Sequence, residues 1–425
     1  MNENRNFKIE GNQVLKGEVS VSGAKNATLP IIGASIICKG IVTLRNVPNL
    51  ADVRNMFLLI ENLGGKVEKL SNDTYKIDAT NINKVELNEA LSTKLRASIL
   101  FLGALVARFK EAIVYQPGGC KIGTRPIDLH LVGLEKMGCI IDRGNDGCIR
   151  INASSINACE ICLDFPSVGA TENIMVAASL AKGKTLLINA AQEPEIEDLA
   201  NFLNALGAKI TGAGTNKIVI EGVDSLKDTV DYTIMSDRIE AGTFLMAAAM
   251  NPKNEVVVKN VNLNHLAPVV SKMENMGVEF RMISNTDVEV IPPRTLQPID
   301  IVKTMPYPGF PTDLQPQMMT LLCQAEGTTV IKETIFENRL HHVNELKKMG
   351  ASIVSVDNHS ATVKGGKKLK GSTLKCFDLR AGISMVMAAI NAEGSSIITD
   401  TYHIRRGYEN IMDKLEGLGV KIEEI

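Results

Sequence analysis

The chain has 425 residues, 45% hydrophobic and 22% charged, with a formal net charge of −2 at pH 7. That length exceeds one ordinary core and implies two large domains, while the near-neutral charge excludes bulk attraction to nucleic acid or anionic membrane. The polar start MNENRNFKIEGN lacks the apolar core of a signal peptide, and no apolar run reaches the ~18 residues of a spanning helix. A cytoplasmic location, with no membrane insertion and no nucleic-acid partner, is therefore expected.

Two strands open the chain, FKIEG and VLKGEVSVS. SGAKNATLP follows, with Lys25 where an apolar helix begins. At IENLGGKVEKL a pattern appears that recurs along the chain: an apolar helix tail, a glycine, then a strand. It returns as LEKMGCIIDRG, LNALGAKITGA, MENMGVEFRMI, LKKMGASIVSV and LEGLGVKIEEI, with Gly64, Gly138, Gly207, Gly277, Gly350 and Gly419 spaced 69 to 74 residues apart. Glycine suits the left-handed residue that stops a helix. Ala-rich helices followed by β-branched strands, such as ENIMVAASLAKGKTLLINA and ISMVMAAINAEGSSIITDT, precede the later copies. They have little polar face and should be buried.

One unit thus reads as helix, strand, helix, strand, strand, and there are six. The fold class is α/β, with helices inside and sheets outside, three units to a domain. The first domain is expected at residues 23–230. The second takes residues 231–425 together with 1–22, the N-terminal strands returning to complete it. A cleft between two such domains is the default ligand site.

Basic residues recur where the buried helices begin: Lys25, Arg96 in TKLRASIL, Arg238 in MSDRIEAGT and Arg380 in FDLRAGIS. Arg339 in FENRLHHV and Arg406 in HIRRGYEN lie in polar loops. Helix starts offer free N–H groups and partial positive charge, so an added Lys or Arg makes a phosphate or carboxylate site. Local pairing serves each of these residues taken singly; their recurrence favours a ligand with several negative charges.

The eight cysteines read as reduced thiols. Cys159 and Cys162 form CEIC near Cys139 and Cys148, but the intervals do not match paired zinc knuckles. His341 and His342 are adjacent and make no i, i+4 metal pair. GAGTNK at Gly212 reads as a hairpin turn and not as a dinucleotide loop. Cys120 differs from the others. In PGGCKIGTRPIDLH it follows two glycines, with Lys121 and Arg125 close by to favour thiolate. It could transfer a proton or attack an electrophile.

SGAKNA, LRAS, PGGCKIGTRPIDLH, SVGAT, GFPTDLQPQ, FENR, DLRAG and HIRRGYE, in this order along nearly the whole chain, resemble the UDP-N-acetylglucosamine enolpyruvyl transferases. The resemblance implies a two-domain inside-out α/β barrel. It also implies transfer of the enolpyruvyl group of phosphoenolpyruvate to the 3′-hydroxyl of UDP-N-acetylglucosamine, with release of phosphate, at the first committed step of peptidoglycan synthesis. No cofactor and no metal are implied.

By the same resemblance Cys120 is the proton donor and the target of the epoxide antibiotic fosfomycin, on a mobile lid loop. Asp313 is the base for the sugar hydroxyl. Lys25, Asn26, Arg125, Arg339, Arg380 and Arg406 bind phosphoenolpyruvate, with Lys25 also catalytic. Arg96, Arg125, Pro126, Ile127, Asp128, Leu129, Ser167, Val168, Gly169, Asp313 and Ile335 bind the sugar nucleotide. Phe165 and Pro166 stand where some members carry a lysine. The shikimate-pathway enolpyruvyl transferases share the chemistry, but they typically pair their lysine with serine, where this chain has Asn26, and lack the cysteine lid. An inactive homologue that only binds the sugar nucleotide would not need Lys25, Cys120, Asp313 and Arg406 together.

Overall fold

The computed structural model describes residues 5–118, 122–123, 125–144, 147–355 and 357–425. Two compact units are present. The first is Gly23–Cys120 with Arg125–Met235; the second is Met1–Ser22, Lys121–Thr124 and Ser236–Ile425. Each has its own apolar core.

Three helices form the centre of each unit. In the first they are Lys25–Ser35, Phe101–Phe109 and Val168–Ala178; in the second, Arg238–Ala249, Gln315–Leu322 and Leu379–Asn391. Every residue of Arg238–Ala249 is buried, as expected of a helix without a polar face. Close crossing is set by small residues: a Cβ on Gly103 would sit 2.3 Å from the Asn173 carbonyl oxygen. Sheets cover these helices, and their strands alternate buried and accessible positions, as in Ile41–Arg45 and Thr328–Lys332.

The six sheets among the described residues share one plan: an antiparallel set of three strands, with one further segment added in parallel. In the first unit Thr229–Thr233 lies parallel to Ile41–Arg45, and Glu160–Cys162 to Lys184–Ile188. The third parallel contact is a single bridge, Glu86 to Ile113. In the second unit Lys16–Ser20 runs parallel to Glu255–Lys259, Ile301–Lys303 to Thr328–Lys332, and Thr373–Lys375 to Ser396–Thr399. In the first unit each repeat hands a strand or a bridging segment to the next sheet, and the last returns to the first; in the second unit the chain-start strand Lys16–Ser20 makes that return, so each unit closes on itself. This handed-on strand is absent from the five-element unit read from sequence.

Phe7–Ile9 sits between Ser396–Thr399 and Ile422–Glu424, antiparallel to both. The chain start thereby fills a place that its own last repeat leaves open. Val230 lies inside strand Thr229–Thr233, and the first unit continues to Met235.

The six repeat glycines have φ between 84° and 102°, in the left-handed region where a side chain is strained. Gly212 and Gly214 make the turn between antiparallel strands Lys209–Thr211 and Lys217–Glu221. Among the described residues, no helix is long and apolar enough to cross a membrane.

Candidate active site

The expected cations do begin the central helices. Lys25 is the first residue of Lys25–Ser35, Arg96 of the 3-10 turn Arg96–Leu100 that leads into Phe101–Phe109, and Arg238 of Arg238–Ala249; Arg380 is the second of Leu379–Asn391. The two helices of the second unit are capped by aspartates one or two positions earlier. Asp237 Oδ1 accepts from the amides of Ile239 and Glu240, and Asp378 Oδ1 from those of Arg380 and Ala381.

Two sets of the expected residues lie in the first unit. Buried Lys25 places Nζ 2.7 Å from Asp52 Oδ2, a partner that sequence reasoning missed because nothing local marks it; Asn26 beside it is half-buried. The other set is built on three helices. Arg96 Nη2 donates to the Arg125 carbonyl. Burial, and then the positive charge of Arg125, push the Arg96 guanidinium down to about 10. Arg125 and Pro126 are exposed and Ile127 is buried. Asp128 opens helix Asp128–Lys136 and pairs with Arg143 Nη1 at 2.9 Å, with Leu129 half-buried behind it. Ser167 caps Val168–Ala178 through Oγ, which accepts from the Ala170 amide at 3.4 Å.

His130 and Asn173, also missed, join these pieces. Asn173 Oδ1 accepts from the Gly103 amide at 2.7 Å, which fixes the orientation of the amide group. Its Nδ2 donates to the Ile99 carbonyl at 3.1 Å and to His130 Nδ1 at 2.8 Å. Nδ1 therefore accepts, and the proton of the neutral ring sits on Nε2. Burial first, then Arg96 and Arg125, push His130 down to about 3, so the ring is neutral at physiological pH. A Cβ on Gly169 would lie 2.9 Å from His130 Cε1 and 3.2 Å from Nε2, a close approach that requires glycine there.

The second unit brings Asp313, Arg339 and Arg380 together. Asp313 Oδ1 accepts from Arg339 Nη2 at 3.0 Å; Oδ2 accepts from Arg380 Nε at 3.1 Å and Nη2 at 2.8 Å. Burial alone would raise the Asp313 carboxyl, but Arg380 and Arg339 hold it well below the usual carboxylate range. For Arg380 the desolvation cost is more than offset, by Asp313 first and then by Tyr408 and Asp237, and its guanidinium is raised. Arg380 lies 5.6 Å from the ring centre of Tyr408, whose hydroxyl contacts Thr243 Oγ1 at 2.9 Å and accepts from Gln317 Nε2 at 3.2 Å.

Glu333 links the Asp313 segment to Ile335. Its carboxylate accepts from Thr304 Oγ1, Thr312 Oγ1 and the Ile335 amide, each at 2.9 Å. The run KETIFENR gave no signal of this. Arg406 is half-buried at the end of the short helix Tyr402–Arg405, in the same unit. Cys120 lies outside the described residues.

Chemically, the second unit holds a carboxylate between two buried cations, and the first holds an anion-suited surface of Arg96, Arg125 and a helix N-terminus. The carboxylate of the second unit fits acid–base chemistry, and the surface of the first fits an anionic group.

The family described as EPSP synthase (3-phosphoshikimate 1-carboxyvinyltransferase) matches residues 9–415. The chain is 49% identical over 417 residues to a UDP-N-acetylglucosamine 1-carboxyvinyltransferase of Thermodesulfovibrio yellowstonii, covering 98% of this chain and 99% of that one. It is 46% identical over 420 residues to UDP-N-acetylglucosamine 1-carboxyvinyltransferase 1 of Clostridium acetobutylicum, covering 99% of each. Among solved structures, the enolpyruvyl transferase NikO from Streptomyces tendae superposes with a TM-score of 0.90 at 25% identity, over 99% of both chains. EPSP synthase from Acinetobacter baumannii gives 0.76 at 20% identity, over 99% of this chain and 100% of that one, a likeness of fold alone. Helices within, sheets without, and full-length identity near one half lead to one conclusion: the chain belongs to the enolpyruvyl transferases, in the family of the UDP-N-acetylglucosamine 1-carboxyvinyltransferases.

Proposed function

We propose that the protein transfers the enolpyruvyl group of phosphoenolpyruvate to the 3′-hydroxyl of UDP-N-acetylglucosamine, releasing phosphate, in the cytoplasm and in service of peptidoglycan synthesis. The substrates follow from the names of relatives 46–49% identical over nearly the whole chain. The observation that carries the chemistry is Asp313, a carboxylate set between the buried Arg339 and Arg380.

In the addition step Asp313 takes the proton of the sugar hydroxyl, whose oxygen bonds to C2 of phosphoenolpyruvate while C3 gains a proton. Cys120 supplies that proton. In the elimination step C3 loses a proton, the C2–phosphate oxygen bond breaks, and the alkene re-forms. Lys25, Asn26, Arg125, Arg339, Arg380 and Arg406 hold the phosphate and carboxylate, stabilising negative charge that develops on the leaving group. Arg96, Pro126 to Leu129, Ser167 to Gly169 and Ile335 hold the sugar nucleotide. The sequence departs from some relatives at Phe165 and Pro166, so the diphosphate relies more on Arg96, Arg125 and the Ser167 helix start.

Fosfomycin is expected to alkylate Cys120: the thiolate opens the epoxide, a C–S bond replaces a C–O bond, and the freed alkoxide takes up a proton. The reaction is tested by incubating the protein with both substrates and following vinyl protons by NMR. Enolpyruvyl ether signals should grow in step with free phosphate; phosphate without the ether would contradict the transfer.

A further inference from the structure

Asp313 gives both of its oxygens to guanidinium groups. The side chains of Arg339 and Arg380 are 2% and 3% exposed, whereas that of Asp313 is 27% exposed. The exposures decide which partner can leave. The arginines are walled in, Arg339 lying 5.6 Å from the Phe336 ring and Arg380 5.6 Å from that of Tyr408. The carboxylate is on the accessible side. Arg339 Nε is buried without a hydrogen-bond partner among the described residues, so the pair holds a donor that Asp313 does not use. Asp237 also adds negative charge near Arg380, but Asp313 is the carboxylate that hydrogen-bonds to both guanidinium groups, and guanidinium forks match a carboxylate of any origin.

We propose that Arg339 and Arg380 form a carboxylate seat that Asp313 fills in the ligand-free chain, and that the substrate carboxylate exchanges with Asp313 and frees it to act as base. This rests on the reaction proposed above. The exchange moves hydrogen bonds and breaks no covalent bond. It imposes an order: the base becomes competent only after the acid substrate has arrived, so the sugar hydroxyl is not deprotonated in its absence. A free monocarboxylate does not displace Asp313, because the tethered group is present at high effective concentration. Phosphoenolpyruvate competes because its phosphate provides a second point of attachment.

The seat is tested without either substrate. Asp313→Ala is melted in sodium formate and in sodium chloride at equal ionic strength. Formate should raise its Tm above the chloride value by about 3 °C or more, and should not do so for wild type. Equal Tm values for the variant in the two salts would overturn the seat.

Should Asp313→Ala not fold, Asp313→Asn asks the same question by calorimetry. The probe is 2-phospholactate, which carries the carboxylate and phosphate but no double bond. It should bind Asp313→Asn about tenfold more tightly than wild type, and the gain should vanish in an Arg380→Gln background. No gain, or the same gain in both backgrounds, would overturn the exchange. A wild-type chain that transfers no enolpyruvyl group while its variant responds to formate retains the seat and loses the reaction. The converse result loses the seat alone.

Discussion

Asn173 donates through Nδ2 to His130 Nδ1 at 2.8 Å, and this bond settles which nitrogen of a buried imidazole carries the proton. The ring is neutral because burial and the nearby Arg96 and Arg125 charges push it down to about 3. An Nε2–H donor thus stands beside Gly169 at the start of a central helix, and its charge state does not change with physiological pH.

Nitrogen-15 NMR should therefore find His130 as the Nε2-protonated neutral tautomer throughout pH 5 to 8, with assignment by loss of the signal in His130→Gln. An imidazolium at pH 6 would remove the neutral donor. The sign for stability follows. The folded value lies below the unfolded one of ~6.5, so only the unfolded chain gains this proton as the pH falls below ~6.5, and stability is lost from there down toward pH 3.

Gly169→Ala forces a Cβ to within 2.9 Å of His130 Cε1. The ring or the helix start must move, and UDP-N-acetylglucosamine should bind about tenfold more weakly by calorimetry, roughly 1.4 kcal/mol. Combined with His130→Ala the steric cause is gone, so the double variant should bind no more weakly than His130→Ala alone. Unchanged affinity in Gly169→Ala would show that the ring position does not matter to the ligand.

Asp198 accepts from the Tyr232 hydroxyl at 2.7 Å and the Met235 amide at 3.3 Å, yet burial pushes its carboxyl up to about 6. A raised folded value means that the folded chain holds a proton which the unfolded chain, at ~3.9, has already lost. Stability should therefore fall as the pH rises from ~4 to 6. Asp198→Asn should remove about 2–3 kcal/mol of that decline, measured by urea unfolding at fixed pH values. Parallel curves for variant and wild type would contradict the assignment.

Glycine punctuation carried much of the architecture in the sequence, because a helix ending at a left-handed residue is a local event. Six stops at near-equal spacing revealed the repeat, and the φ values at Gly64 through Gly419 have that local cause. Long-range completion was less legible. Thr229–Thr233 and Glu160–Cys162 are short strands whose partners belong to another repeat. Asn46, Asn189 and Asn260 take positive φ just past a central strand and bond the carbonyls of Ile234, Leu163 and Val21. Nothing near them in sequence predicts those partners.

The same division applies to the site. Lys25, Arg96 and Arg380 were legible as cations at helix starts. Asp52, His130, Asn173, Glu333 and Tyr408 were not, because each acts through a partner brought near only by folding. Asp313 and Arg380, 67 positions apart, are joined in this way.

Cys120→Asp should retain turnover and lose time-dependent inactivation by fosfomycin, since a carboxylate can carry a proton but does not open the epoxide as a thiolate does. Peptide mapping of the inactivated wild type should find the adduct on the peptide that contains Cys120. Continued inactivation of the variant would move the reactive thiol elsewhere.

The central claim is tested most directly by phosphate release from phosphoenolpyruvate with two acceptors side by side. The account predicts release with UDP-N-acetylglucosamine and none above background with 3-phosphoshikimate. Release with 3-phosphoshikimate alone would contradict it.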